Sequence, residues 1–177
     1  MPVMEPFNFR ELDTETRGFM LAELDRDVAR DGHPYIGETS LTAKGKADYE
    51  TLLRRAIESG TEQDLIADLE SEERATRDRP DMARRLGSSE FNKYYMRGVC
   101  LRARAHGVDT VAIYRARASK VERPDSKAAI GQVRSATRAL DDLRAGVNAP
   151  KDSSYGLVYS GLSLRCGCDT CRPAADE

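Results

Sequence analysis

Two short runs patterned for strands, 108–114, rich in β-branched and aromatic residues, and 156–164, which alternates, stand late in a chain otherwise patterned for helices. Alternating side chains of that kind suit a pleated surface, whereas the apolar residues before them recur at three- and four-residue spacings. Several helices followed by strand, helix and strand leave few architectures open. The order predicts an α+β fold, mainly helical, with four or five helices and a small sheet formed by strands in the C-terminal half. At 177 residues the chain is long enough for a single domain with a proper core. Within it we distinguish a helical part, 1–107, a small α/β part, 108–165, and a cysteine-rich tail, 166–177.

The helical part carries its own punctuation. Asn8 stands where an N-cap belongs, Glu11 follows three residues on, and Phe7 and Leu12 hold the staple positions. A first helix is expected from there to about Arg30, burying Leu12, Phe19, Met20, Leu24 and Val28. A second fits 42–59, with Tyr49, Leu52, Leu53, Ala56 and Ile57 inward and Gly60 as a left-handed terminator. Thr61 then caps a third, with Asp64 at the reciprocal position and Leu65, Ile66 and Leu69 inward. The charged run 70–79 meets Pro80, where a break is expected. A fourth helix begins at Ser88 or Ser89, buries Phe91, Tyr94, Tyr95, Val99 and Cys100, and stops at Gly107. Beyond the irregular basic stretch 115–123, a helix over 126–145 turns Ile130, Val133, Thr137 and Leu140 inward and ends at Gly146.

No apolar run approaches the roughly 18–20 residues that cross a bilayer, and the N-terminus lacks the basic and apolar regions of a secretory signal. These features predict a soluble protein kept inside a cell. The net charge of −2 hides a segregated layout. Residues 1–96 hold 14 Lys and Arg against 21 Asp and Glu, while residues 97–144 hold 11 against 5. The basic segment suits either an acidic face of the same fold or an external anion. Within it, Arg97, Arg102 and Arg104 lie on the helix that carries Tyr94 and Tyr95, a mixture of rings and guanidinium groups used in phosphate and base recognition. Arg115 and Arg117 follow Tyr114 at a strand end, a second place for an anion. No P-loop, G-x-G-x-x-G, H-E-x-x-H or G-x-S-x-G is present, which removes the nucleotide-binding, zincin and α/β-hydrolase motifs.

The tail concentrates the chemistry. Cys166, Cys168 and Cys171 are three of the four cysteines, spaced Cys-x-Cys-x-x-Cys. Thiolates this close can converge on zinc, remain reduced, or form a disulfide, and an intracellular setting favours metal over disulfide. A structural zinc needs a fourth ligand. Cys100, His106, His33, Asp169 or another chain can supply it, and we take Cys166, Cys168, Cys171 and Cys100 as the ligand set. No second close ligand pair marks a zinc ribbon, and no His or Glu adjacent in sequence offers a general base, so a structural role is expected.

Three stretches, Phe9-Arg10-Glu11-Leu12-Asp13, Leu41-Thr42-Ala43-Lys44-Gly45 and Ser89-Glu90-Phe91-Asn92-Lys93-Tyr94-Tyr95-Met96-Arg97-Gly98, carry a resemblance. Through them the first two-thirds of the chain resembles an uncharacterised family of actinobacterial and actinophage or mobile-element proteins. The resemblance transfers no catalytic residue. It implies a bacterial cytoplasmic or virion-associated protein that works within an assembly. The combined expectation is a non-enzymatic structural or interaction protein, with a protein partner or a second copy of itself, no membrane, and zinc on the cysteine tail. A nucleic-acid-binding protein using the basic 97–144 segment, and an enzyme with an anion pocket near Tyr114 and Arg115, are the alternatives.

Overall fold

The computed structural model of the chain describes residues 4–37 and 40–168. It is mainly helical, with one small antiparallel sheet in the C-terminal half, the α+β class that the order of patterns predicts. The helices are α1 (Thr14–Asp31), α2 (Ala43–Ser59), α3 (Glu62–Glu70), α4 (Pro80–Ala105), α5 (Pro124–Ala129) and α6 (Ala136–Ala145). The strands are β1 (Val111–Arg115), β2 (Val133–Arg134) and β3 (Leu162–Cys166). Among the described residues no helix is long and apolar enough to cross a membrane. The chain divides into two compact units, Met20–Tyr94, and Met1–Phe19 with Tyr95–Glu177.

In the unit 20–94, α2 and α3 form a hairpin whose start signals are those written in the sequence. Thr42 accepts the Gly45 N–H at the N-cap of α2, and Thr61 and Asp64 complete a reciprocal capping box on α3. Tyr49, Leu53, Ile57, Leu65 and Leu69 are fully buried along the joined faces. Gly60 ends α2 with φ −99°, so extended backbone and not a left-handed residue makes the corner. Helix α4 begins at Pro80, eight residues before the expected Ser88. Proline lacks an N–H, but the first turn of a helix needs none, and its fixed φ suits that position. The added turns bring Gly87 against α3, where a Cβ would lie 3.2 Å from both Ile66 and Leu69. Polar groups continue into the interior: Ser88 donates to buried Glu62 (2.5 Å), Tyr94 donates to buried Asp27 (2.8 Å), and buried Lys93 pairs with buried Glu90.

The other unit is built round the sheet, ordered β2-β1-β3 with both pairings antiparallel. Val111 lies opposite Cys166 and Arg115 opposite Leu162, so the register carries the first tail cysteine into the sheet itself. Val111, Ala112, Ile113 and Tyr114 are all buried, as are Ala136, Ala139, Leu140 and Leu143 on the inner stripe of α6. Gly107, at φ +72°, takes the left-handed turn that releases the chain from α4 towards β1.

Three sequence expectations about this unit fail. Asn8 does not cap a helix. Its amide donates to the Ala116 carbonyl (2.7 Å), Phe7 packs against Tyr114 and Ala116, and helix α1 starts at Thr14, with Asp13 accepting the Thr16 N–H (3.0 Å). The single helix expected over 126–145 is interrupted. Gly131 adopts φ +85°, Val133 and Arg134 pair with β1, and the helix resumes only after Ser135 caps α6. Ile130 and Val133 are accordingly exposed, 39% and 64%. The run 156–164 also divides, into a 3-10 turn (Ser154–Tyr159) and then β3.

Candidate functional site

Strand β3 delivers Cys166 to a buried position at its end, and a carboxylate holds it there. The Cys166 N–H donates to both oxygens of Glu11, at 3.0 and 2.9 Å, while the Glu11 N–H donates to the Tyr95 hydroxyl (3.1 Å). Gly167 then donates to the Thr110 carbonyl (2.9 Å) and lies so close that a Cβ would fall 2.7 Å from that oxygen. Only glycine lets the chain pass Thr110 this tightly, which turns Cys168 back on Cys166. The Cys168 N–H donates to the Cys166 sulfur (3.3 Å), and the two Sγ atoms are 2.9 Å apart. Cys166 is a reduced thiol and Cys168 is disulfide-bonded. Cys171 lies outside the described residues.

His106 approaches the same sulfur from the end of α4. Its Nδ1 is 3.6 Å from Cys168 Sγ, and its Nε2 is 2.8 Å from Glu15 Oε1 in the first turn of α1. The ring is positioned by regular backbone: the His106 N–H bonds to the Arg102 carbonyl (3.0 Å) and the Val108 N–H to the Ala103 carbonyl (2.9 Å). Arg102 steadies the acidic side, with Nη1 2.6 Å from Asp13 and 3.0 Å from the Thr16 hydroxyl, and Nε 3.3 Å from Glu15. A basic side chain thus holds the carboxylate that holds the imidazole.

The electrostatics oppose charge on the thiol. Burial pushes the Cys166 thiol above its ordinary range, and the Glu11 carboxylate adds to the rise. Burial likewise raises Glu11, against the lowering pull of the Cys166 amide and of Arg102. Burial would raise Asp13 too, but the Thr16 amide and the Arg102 guanidinium outweigh it and hold that carboxyl low. A cysteine in such surroundings is a poor nucleophile, whereas a bound cation would reverse the balance. Among the described residues no set of three or more His, Cys, Asp or Glu side chains is gathered closely enough to hold a metal ion.

The structure redistributes the residues that sequence reasoning assembled. Cys100 is a fully buried thiol in the interior part of α4, and the side chain brought to Cys168 is His106 instead. The cluster also has acid–base neighbours after all, because His106, Glu11 and Glu15 are distant in sequence but adjacent in space. The sequence marks Glu11 only as the reciprocal residue of a helix cap that does not form, and Glu15 reads as an ordinary charge of a helix start.

The proposed anion ligands separate as well. Arg97 is 1% exposed, among the largest fully buried side chains, so it cannot meet an external anion. Arg102 is committed to Asp13 and Thr16. Arg104 is exposed near the end of α4. Arg117 stacks over Phe7, 4.3 Å from the ring centre. Tyr114 and Arg115 point to opposite faces of β1, as successive strand residues must. The Tyr114 hydroxyl donates to the Asn8 carbonyl (2.7 Å) inside the fold. Arg115, with Arg123, Ser119, Ser126 and Tyr159, lines a cleft of about 440 Å³. Arg115 itself is braced by the Ser160 carbonyl (3.1 Å) and Glu122 (2.7 Å). A cleft of about 450 Å³ along β2 and α6 offsets Arg134 and Arg138 with Asp142 and Asp152.

Compared with protein-family models, with curated proteins and with solved structures, the chain has no significant match.

Proposed function

We propose that this chain works by binding, as a structural or interaction component, and that its C-terminal thiolate cluster holds a structural zinc. The observation that supports the reading is the end of β3, where Glu11 and Thr110 pin the backbone that carries Cys166 and Cys168 side by side; the metal-holding form would be the one in which the Cys168 disulfide is reduced. Metal-ligand sulfurs have to be presented together by rigid backbone, and the pinned end of β3 supports the reading in that respect. Support for an interaction role comes from exposed apolar side chains. Val121, Val133, Val147 and Tyr159 of the sheet-containing unit are each more than half exposed. A protein partner or a second copy of the chain would cover them, in the bacterial cytoplasm or in a virion. Elemental analysis of reduced protein purified without added metal tests the zinc. The expected result is about one zinc per chain, with the tail thiols protected until a chelator is added. Metal-free protein whose tail thiols react at once would overturn the reading.

A second reading, nucleic-acid or phosphate binding, draws on the cleft at Arg115 and Arg123, where two guanidinium groups share a wall with three serines and a tyrosine. It predicts binding of single-stranded nucleic acid that falls steeply with added salt and weakens in Arg115→Gln and Arg123→Gln. Binding that is absent, or indifferent to both substitutions, rejects it.

A further inference from the structure

We propose that the cleft formed by β2, α6 and the segment 150–154 binds a free α-amino acid, its carboxylate on Arg134 and Arg138 and its ammonium group on Asp142 and Asp152. The site is independent of the thiolate reading and of the Arg115 cleft, and it shares no lining residue with that cleft.

Charge layout gives the first argument. β2 is an outer strand of the sheet, and with α6 and the segment 150–154 it encloses about 450 Å³, within the range of small-molecule sites. Two guanidinium groups and two carboxylates share the lining, yet among the described residues none of the four makes an ion pair. Arg138 and Asp142 stand four apart on α6, a spacing at which opposite charges ordinarily meet. Ser154 occupies Arg134 and Asp142 separately. Its buried hydroxyl accepts from Arg134 Nη1 (2.9 Å), and its N–H donates to Asp142 Oδ2 (3.1 Å). A neutral residue thus positions both charged groups and cancels neither. Arg134 keeps further N–H donors and Asp142 keeps its second oxygen. Opposite charges held in one cleft without meeting suit a ligand that carries both on a single carbon. A phosphate or a nucleic acid does not fit, because Asp142 and Asp152 would repel it.

Ser153 gives the second, independent argument. It lines the cleft, is only 9% exposed, and its hydroxyl is buried with no hydrogen-bond partner in the fold. Its backbone is satisfied, the N–H by the Pro150 carbonyl (3.1 Å) and the carbonyl by the Gly156 N–H (3.2 Å). The serine is therefore anchored while its side chain is unused. A buried hydroxyl left alone is a cost, and either charged end of an amino acid would relieve it by a hydrogen bond.

Amide chemical shifts of the isotope-labelled full-length chain, titrated with each common L-amino acid, read both the binding and its place. At least one amino acid is expected to shift the amides of residues 132–139 and 151–154 saturably. Its N-acetyl form, which lacks the ammonium charge, and its amide form, which lacks the carboxylate, should each bind at least about tenfold more weakly. Arg138→Gln and Asp142→Asn should each lower the affinity by about tenfold or more. Arg138 is exposed and makes no ion pair, so Arg138→Gln decides the matter if Asp142→Asn, whose side chain supports Ser154, does not fold. The proposal is overturned if no amino acid binds, or if the shifts centre elsewhere in the chain. It is equally overturned if a blocked form binds as tightly as the free one, or if a folded charge variant binds unchanged.

Discussion

At the scale of single residues, the start of the tail is held by a carboxylate that the sequence marks only as part of a helix cap. Glu11 satisfies the buried Cys166 amide with both oxygens, yet burial raises its own pKa above the ordinary 4.5. The folded chain therefore binds this proton more tightly than the unfolded chain. Stability falls as pH rises from about 4.5 through the raised folded value, and above it the loss is complete. Glu11→Gln keeps an acceptor for the Cys166 amide and removes the ionisation. Its stability, followed by urea denaturation across that window, is expected to decline less with pH than the wild type's. Glu11→Ala leaves a buried N–H without an acceptor and should cost about 1–3 kcal/mol at neutral pH. Parallel pH profiles for the wild type and Glu11→Gln would contradict the assigned cause. The spacing of Cys166 and Cys168 was legible. That Thr110 imposes the glycine, and that His106 faces Cys168, depend on chain returns of some 60 residues that no local pattern encodes.

At the scale of elements, caps and stripes were readable wherever the local signal had no tertiary competitor. Helices α2 and α3 start at Thr42 and Thr61, as their side chains indicate. Removing the Thr61 hydroxyl breaks both halves of the α3 capping box, so Thr61→Ala should destabilise the protein by about 1 kcal/mol in thermal or urea unfolding. An unchanged midpoint would show that the box contributes nothing measurable. The errors arose where a second force acted. Residues 7–9 satisfy a helix-start pattern, but Phe7 and the Asn8 amide gain more from the Tyr114–Ala116 edge. Residues 130–134 continue a helical spacing, but Gly131 turns left-handed and Val133 pairs with Ala112. Pro80 was read as a stop, although proline serves as well at a helix's first turn.

At the scale of the whole molecule, the class was legible because the order of periods, helices first and strands last, survives local misreadings. The division into two units was not, because it falls inside α1 and α4, at Phe19–Met20 and Tyr94–Tyr95, where neither helix shows a break in composition. The segment 89–98 illustrates the cost of reading charge from sequence alone. Glu90, Asn92, Lys93 and Arg97 are buried there, so its polar letters serve the interior and not a partner. The exposed valines, the Arg115 cleft and the sulfur-bearing end of β3 all belong to the sheet-containing unit. The account stands on that last feature. Zinc-edge X-ray absorption of the reduced, zinc-loaded chain tests it most directly. The expected spectrum has a sulfur shell at about 2.3 Å. A shell of oxygen and nitrogen without sulfur would contradict it.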